Sequence, residues 1–294
     1  FYDAAGSKLF QEICDTKEYY PTECETEIFE SHKSEIAKFI QREKAVIVEL
    51  GAGDGRKTKV ILEEILKAQT EIKYYPVDIS RSAVEQLLEE LAEQMPGVKS
   101  EGIVAEYFNA LKWLGFESEA RKVVFFLGGN IGNFSKPQSK VFLKTLWNSL
   151  SDDDLILTGF DLKKDIDVML DAYNDKSGAT RRFNINLLKR INKELGGEFD
   201  IEKFSHYGTY NVKLGAMESF IVSLERQSVY IKELDTTFVF KPFEAIHCEY
   251  SFKYLAEEVE TLARETGFEV VGTYFDKRKY FMDAVLRVKK NPRF

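Results

Sequence analysis

Apolar positions in the first half of the chain change period in a regular rhythm. AVIVELG, 45–51, is an unalternating apolar run of the kind a parallel strand covered on both faces requires. KTKVILEEILKA, 57–68, follows with Val60, Ile61, Ile65 and Leu66 at helical spacing. The alternation continues with strand patterns at 72–80, 102–107, 122–129 and 154–160, and with helical patterns at 82–95 and 139–150. Strands alternating with amphipathic helices predict an α/β fold built on an open, mostly parallel sheet.

After residue 160 the rhythm breaks. DIDVMLDAYND, 165–175, and NINLLKRINKELGG, 184–197, predict helices, the second ended by Gly196 and Gly197. In the first of these, Tyr173 continues the face of Ile166 and Leu170. ESFIVSLE, 218–225, and VYIKEL, 229–234, alternate with period two across a short polar turn and predict a hairpin. TFVF, 237–240, predicts another strand, and KPFEAIHCEYS, 241–251, reads as irregular. A helix over 254–267 then leads to two strands, 268–276 and 280–288, that return to the main sheet. At the other end, residues 1–40 read as polar and mostly helical, interrupted at KEYYPTECE, 17–25. Pro21 pushes Tyr20 towards extended backbone, so Thr22 is the expected cap of a new helix with Glu25 at capping-box spacing. The expected division is an α/β domain, 24–163 with 254–294, and an inserted α+β subdomain made of 1–23 and 164–253.

Composition narrows the function classes. The 294 residues are 44% hydrophobic, enough for a large core, and the net charge of −8 argues against a broad electrostatic hold on nucleic acid or anionic lipid. No apolar stretch approaches the roughly 18 residues of a membrane span, and no signal peptide opens the chain. Cys14, Cys24 and Cys248 are odd in number and lack CxxC spacing, so free thiols in a reducing cytoplasm are expected. With His32, His206 and His247 they offer no zinc-ligand spacing, and no metal site is expected. The chain opens on Phe1 rather than Met, so an upstream segment is expected.

The chemistry is concentrated at strand ends. VELGAGDGRKT, 48–58, joins the first strand to its helix through Gly51, Gly53 and Gly55, where backbone can approach a ligand beside unsatisfied N–H groups. Glu49 makes the pattern E-x-G-x-G-x-G rather than the dinucleotide G-x-G-x-x-G. Asp78 ends the second strand where a carboxylate accepts two ribose hydroxyls, or else caps the next helix together with Ser80. Glu106 and Tyr107 end the third, a position suited to an adenine amino group and ring. Together these favour S-adenosylmethionine over NAD. No Walker lysine frame and no G-x-S-x-G elbow is present. FFLGGNIGNFS, 125–135, ends the fourth strand, where the acceptor is commonly presented. An asparagine amide there, Asn133 or Asn130, accepts from an amine without the charge that would favour ammonium.

These residues carry a resemblance. FYDAAGSKLF, EYYPTECE, ELGAGDGRKT, FFLGGNIGNFS, DAYNDKSGATRRFNINLLKRINKELGGEFD and CEYSFKY resemble the histidine-specific, S-adenosylmethionine-dependent Nα-methyltransferases of ergothioneine biosynthesis, essentially from end to end. The resemblance implies a Rossmann-like class I methyltransferase and three methyl transfers to the α-nitrogen of L-histidine, giving hercynine. It implies that Tyr19 and Asn133 hold the α-amine and carboxylate and act at the reacting nitrogen. Tyr173, with Thr180, would bind the carboxylate, and Glu249 and Ser251 would read the imidazole with help from Tyr2. Glu49, Gly51, Gly53, Lys57, Asp78, Glu106 and Tyr107 would surround S-adenosylmethionine. A cytoplasmic monomer with histidine as its small-molecule partner, and with neither nucleic acid nor membrane, is expected. Two positions depart from the family pattern, Ser219 where a methionine is usual and Glu106 where aspartate is commoner. The Ser219 change leaves another free aromatic amino acid as the alternative substrate, and a non-catalytic binding protein as the alternative class.

Overall fold

The computed structural model describes residues 1–40, 45–68, 72–114 and 120–290. Two helices open it, α1 (Ala4–Cys14) and α2 (Tyr20–Ile40). α2 starts at Tyr20, not at a Thr22 cap as the spacing predicted. Proline within the first turn lacks only an N–H that has no partner inside the helix there, so Pro21 is accommodated. Glu25, expected at capping-box spacing, lies inside the helix instead and is 0% exposed.

Next come β1 (Ala45–Leu50), α3 (Arg56–Leu66), β2 (Ile72–Asp78), α4 (Arg81–Gln94), β3 (Val98–Ser100), β4 (Ile103–Val104) and α5 (Tyr107–Leu114). They are followed by β5 (Arg121–Phe126), α6 (Lys136–Ser149), β6 (Leu155–Asp161), α7 (Ile166–Tyr173), α8 (Ala179–Leu195) and β7 (Phe204–Asn211). The remaining strands and helix are β8 (Ala216–Ser223), β9 (Gln227–Ile231), β10 (Thr236–Phe240), β11 (Ala245–Phe252), α9 (Ala256–Thr266), β12 (Phe268–Phe275) and β13 (Phe281–Val288). By internal contacts the chain divides into one unit of residues 1–20 and 164–252 and another of 21–163 and 253–294.

The second unit is an eight-stranded sheet in the order β12-β13-β6-β5-β1-β2-β3, with β4 also on β2. β6, β5, β1, β2, β3 and β4 pair in parallel, while β13 and β12 run antiparallel at one edge. The order reverses beside β1, leaving a crevice at the carboxyl ends of β1 and β5. The central strands are apolar because both faces are covered; Ile47, Val48, Val124, Phe125 and Ile156 are fully buried. α3 covers the sheet with Thr58, Ile61, Leu62 and Ile65, so Leu62 takes the place expected of Val60 and Leu66, which are only half-buried. The strand expected over 102–107 is the two residues of β4, and Tyr107 begins α5, a helix with no capping signal in its sequence.

The first unit holds two small sheets, β11-β8-β7 and β10-β9. The expected hairpin of 218–225 with 229–234 does not form, since β8 pairs with β7 and β11 while β9 pairs with β10. Period-two alternation specifies which side chains face a core but not which strand lies alongside. The segment 245–251, read as irregular, lies within the regular strand β11, bulged between His247 and Glu249. α8 ends at Gly196 in the left-handed conformation, as the glycine pair predicted.

The core under these sheets centres on Phe204, fully buried with ring centroids 5.5 Å from Phe199 and 5.6 Å from Phe240. Among the described residues no helix is long and apolar enough to cross a membrane, and no cluster of His, Cys, Asp or Glu could hold a metal ion. Phe204→Ala is expected to lower stability by about 3–5 kcal/mol in urea unfolding, the cost of a buried aromatic-sized cavity.

Candidate active site

The crevice of the second unit is shaped by the turn after β1. The N–H groups of Gly51 and Ala52 donate to the Val77 carbonyl at 2.8 and 3.1 Å, which fastens the turn to the end of β2. Gly53 then takes a left-handed φ of +55°, and a β carbon built on it would meet no atom within 4 Å. The turn therefore offers bare backbone to open space. The Gly53 N–H donates to one Asp78 oxygen at 3.1 Å, and the other accepts from the Ser80 N–H at 2.9 Å. Ser80, not Asp78, caps α4, so the Asp78 carboxylate stays at the mouth of the crevice. Glu106 is exposed beside it. The Tyr107 ring packs edge-on against Phe126 at 5.3 Å, and its hydroxyl lies over the Gly51 turn, 2.9 Å from where a β carbon would stand. An adenosyl group bearing an amino-acid tail fits this set, with Asp78 for hydroxyls and bare backbone for close approach.

Beyond the end of β5 come Gly128 and Gly129, both left-handed, followed by a 3₁₀ turn over Asn130–Asn133. α6 then starts at a full capping box of Ser135 and Gln138. The two asparagines are separated by this geometry. Asn130 is half-buried, its amide nitrogen lying between the Gly51 and Gly128 turns, whereas Asn133 is exposed on the turn. Lys57, from the first turn of α3, lies under Gly128 and is ion-paired with buried Glu25.

In the first unit the candidate residues converge on the inner face of β11-β8-β7. Glu249 and Ser251 lie beyond the bulge and two residues apart, so both point to one face. Glu249 stands in register with Ser219, and Ser219 with Gly208. The Tyr173 hydroxyl donates to Ser251 Oγ at 2.7 Å. Tyr173 does not share its role with Ile166 and Leu170, because α7 buries Met169 and Ala172 instead. Its position depends on a close approach at Gly208, where a β carbon would stand 3.0 Å from both Tyr173 Cβ and the Tyr173 carbonyl. Asn174 ties the same place by accepting from the Gly208 N–H at 2.9 Å and donating to its carbonyl at 3.0 Å. The imidazole of His206 reaches the Tyr173 carbonyl at 3.0 Å, donating through Nε2. Tyr19 lies edge-on to Tyr173 at 6.4 Å, and Tyr2 reaches the same group of rings through Phe10 and Phe183. Thr180 is buried in the first turn of α8, its N–H on Asp175.

The model of the family described as histidine-specific methyltransferase, SAM-dependent, matches residues 1–288. The chain belongs to that family. It is 31% identical to the histidine N-alpha-methyltransferase of Mycolicibacterium smegmatis over 91% of this chain and 82% of that one. The L-tryptophan methyltransferase of Psilocybe serbica is 30% identical over 99% of this chain and 87% of its own. A solved structure from Bordetella parapertussis, described as a possible exported protein, has a TM-score of 0.50 at 11% identity over 88% of this chain and 66% of that one. That likeness is one of fold alone. The enzyme is a class I, Rossmann-like methyltransferase that depends on S-adenosylmethionine.

Glu49 and Asp175 are strongly shifted, in opposite directions. Burial raises Glu49 to about 7 against the pull of its hydrogen bonds from Tyr74 and Thr58. It is 3% exposed, with the Thr58 hydroxyl at 2.7 Å on one oxygen and the Tyr74 hydroxyl on the other. Both oxygens thus face inward and brace the turn from behind. Burial acts to raise Asp175 too, but the hydroxyl of Ser177 and the N–H groups of Thr180 and Ala179 hold it at about 2. Asp175 thereby anchors the start of α8, and with it Thr180.

Sequence reasoning missed Glu25, Asn174, Gly208 and His206. The first two lie inside segments that carry the resemblance, EYYPTECE and DAYND, but nothing local marks them as buried or bridging. Glu49 yields a pH signature. An acid with a raised folded pKa contributes stability below its unfolded value of 4.5 and loses it as pH rises through about 7. Relative to Glu49→Gln, the wild type is expected to lose up to about 3 kcal/mol between pH 4.5 and 8, measured by urea unfolding at each pH.

Proposed function

We propose that the enzyme transfers methyl groups from S-adenosylmethionine to the α-amino nitrogen of L-histidine, three in sequence, giving the trimethyl betaine hercynine for ergothioneine biosynthesis. The observation that carries this reading is the inner face of β11, where Glu249 lies two residues from a Ser251 already hydrogen-bonded to Tyr173. A carboxylate and a hydroxyl on one face suit a ring that offers both a donor and an acceptor nitrogen. The phenol of Tyr173 suits the substrate carboxylate, and Thr180 and Tyr2 support the same pocket. Tyr19 and Asn133 are assigned to the α-amine. An uncharged amide favours the free amine, which alone has the lone pair that attacks.

S-adenosylmethionine supplies the electrophilic methyl. Before each transfer the ammonium form of the substrate nitrogen would give one proton to water. An N–C bond would then form as the C–S bond breaks with its electron pair left on sulfur, and the third transfer gives a quaternary nitrogen with no proton to lose. The contribution of the protein is alignment rather than acid–base chemistry. Asp78, Glu106, Tyr107, Gly51, Gly53 and Lys57 are assigned to the cofactor, with Glu49 bracing the turn from inside.

Ser219 supports a second reading. It is small, buried and opposite Glu249, which leaves room beside the ring position for a larger aromatic amino acid. Mass spectrometry after incubation with S-adenosylmethionine and each free amino acid separates the two. Histidine gaining three methyl groups is the expected result, and equal turnover of tryptophan would remove histidine specificity. Glu249→Ala is expected to raise the histidine KM about 10- to 100-fold, the loss of one charge-assisted hydrogen bond, with S-adenosylhomocysteine affinity unchanged in calorimetry. Equal loss of both would take Glu249 out of the substrate site.

A further inference from the structure

Beneath the Gly128 turn lies a sealed cluster that methyl transfer does not itself require. Glu25 from α2 and Asp283 from β13 are both 0% exposed. The Gly128 N–H donates to both Glu25 oxygens, at 2.8 and 3.0 Å, and Lys57 pairs with the same carboxylate. Asp283 has Gly159 of β6 and Tyr274 of β12 as its direct cross-strand neighbours. A β carbon at Gly159 would collide with the Glu25 carboxylate and stand 2.8 Å from the Phe281 ring. The missing side chain is what lets Glu25 lie over β6 next to Asp283.

The charges facing Asp283 do not balance if both acids ionise. α2 contributes Glu25, α3 contributes Lys57, and β12 contributes the neutral phenol of Tyr274. Asp161 of β6 is already neutralised by Lys253 at 2.6 Å. No N–H or hydroxyl among the described residues donates to either Asp283 oxygen, so its contact with Glu25 is a hydrogen bond only when one of the two acids carries a proton. Burial first, then the charge of Glu25, holds Asp283 far above the ordinary carboxyl range, with Lys57 opposing. Two adjacent carboxylates and one ammonium would bury a net negative charge, which folded proteins avoid by protonation.

We infer that Glu25 and Asp283 share one proton, carried on Asp283 and donated to Glu25, and that this neutral acid–carboxylate–ammonium cluster positions Lys57 and the Gly128 backbone for S-adenosylmethionine. The positioning half rests on the assignment of Lys57 to the cofactor. With the proton on Asp283, Glu25 keeps a single charge for Lys57 and a lone pair on each oxygen for the Gly128 N–H. Without it, repulsion would drive Glu25 away from β13 and off the turn.

Infrared spectra of protein carrying ¹³C-labelled aspartate test the shared proton. At pH 7 a protonated-carboxyl band that disappears in Asp283→Asn is expected, and its absence from the wild type overturns the sharing. Calorimetry with S-adenosylhomocysteine tests the positioning. Asp283→Leu is expected to weaken binding at least fivefold, and Asp283→Asn, whose amide donates the same hydrogen bond, to restore it to within about twofold. Equal affinities for the two variants overturn the positioning role. If Asp283→Leu does not fold, Glu25→Gln takes its place with the same threshold. Unaltered affinity in Lys57→Met overturns the assignment of Lys57 and the positioning role with it, while the infrared band still decides the shared proton.

Discussion

The carboxylate of Glu25 is the tie on which the turns at the mouth of the main sheet depend. It comes from α2, accepts the backbone N–H that follows β5, and pairs with Lys57 at the start of α3. Three elements distant in sequence are thereby fastened at one point beneath the crevice where the strand order reverses. A buried carboxylate that holds one N–H between its two oxygens and one ammonium in an ion pair is strongly directional, whereas apolar packing is not. The glycine turns above it can therefore stay open and bare without losing their place. Glu49 does the same from the other side, tying the turn after β1 to β2 through Tyr74 and to α3 through Thr58.

The unit that carries β11, β8 and β7 uses a different device. Its candidate side chains stand on β11 and α7, and the last turn of α7 is drawn onto β7 by Gly208, Asn174 and His206. This places a tyrosine hydroxyl against a serine of a strand not adjacent to β7, since β8 lies between them. The rung Gly208–Ser219–Glu249 crosses all three strands, so size at 208 and 219 sets the space beside Glu249. Asp175 performs the parallel service for α8, and its carboxylate stays ionised through any ordinary pH.

Much of the geometry around the candidate cofactor residues was legible because those residues are local. Gly51, Gly53 and Glu49 share one turn, and Asp78 ends a strand whose apolar run is plain. The competing role for Asp78 was settled by one bond, Ser80 taking the cap of α4. Asn133 and Asn130 could not be separated by chemistry, both being amides in one turn, and the structure gives them different exposure. The hairpin of 218–225 with 229–234 was misread because alternation records burial and is blind to pairing. The start of α2 was misread because a proline can sit inside the first turn as readily as before it.

The sequence by itself determined the α/β rhythm, the bare glycine-rich turn after β1, and the spacing that puts Glu249 and Ser251 on one face. Each is a property of neighbouring residues, set by backbone sterics and by the period of burial. Only the tertiary structure decided that Glu25 is sealed beside Asp283, that Tyr173 meets Ser251, and that Ser219 lies opposite Glu249. Those facts depend on which elements pack together, and a charged residue looks the same in sequence whether water or another acid will be its neighbour.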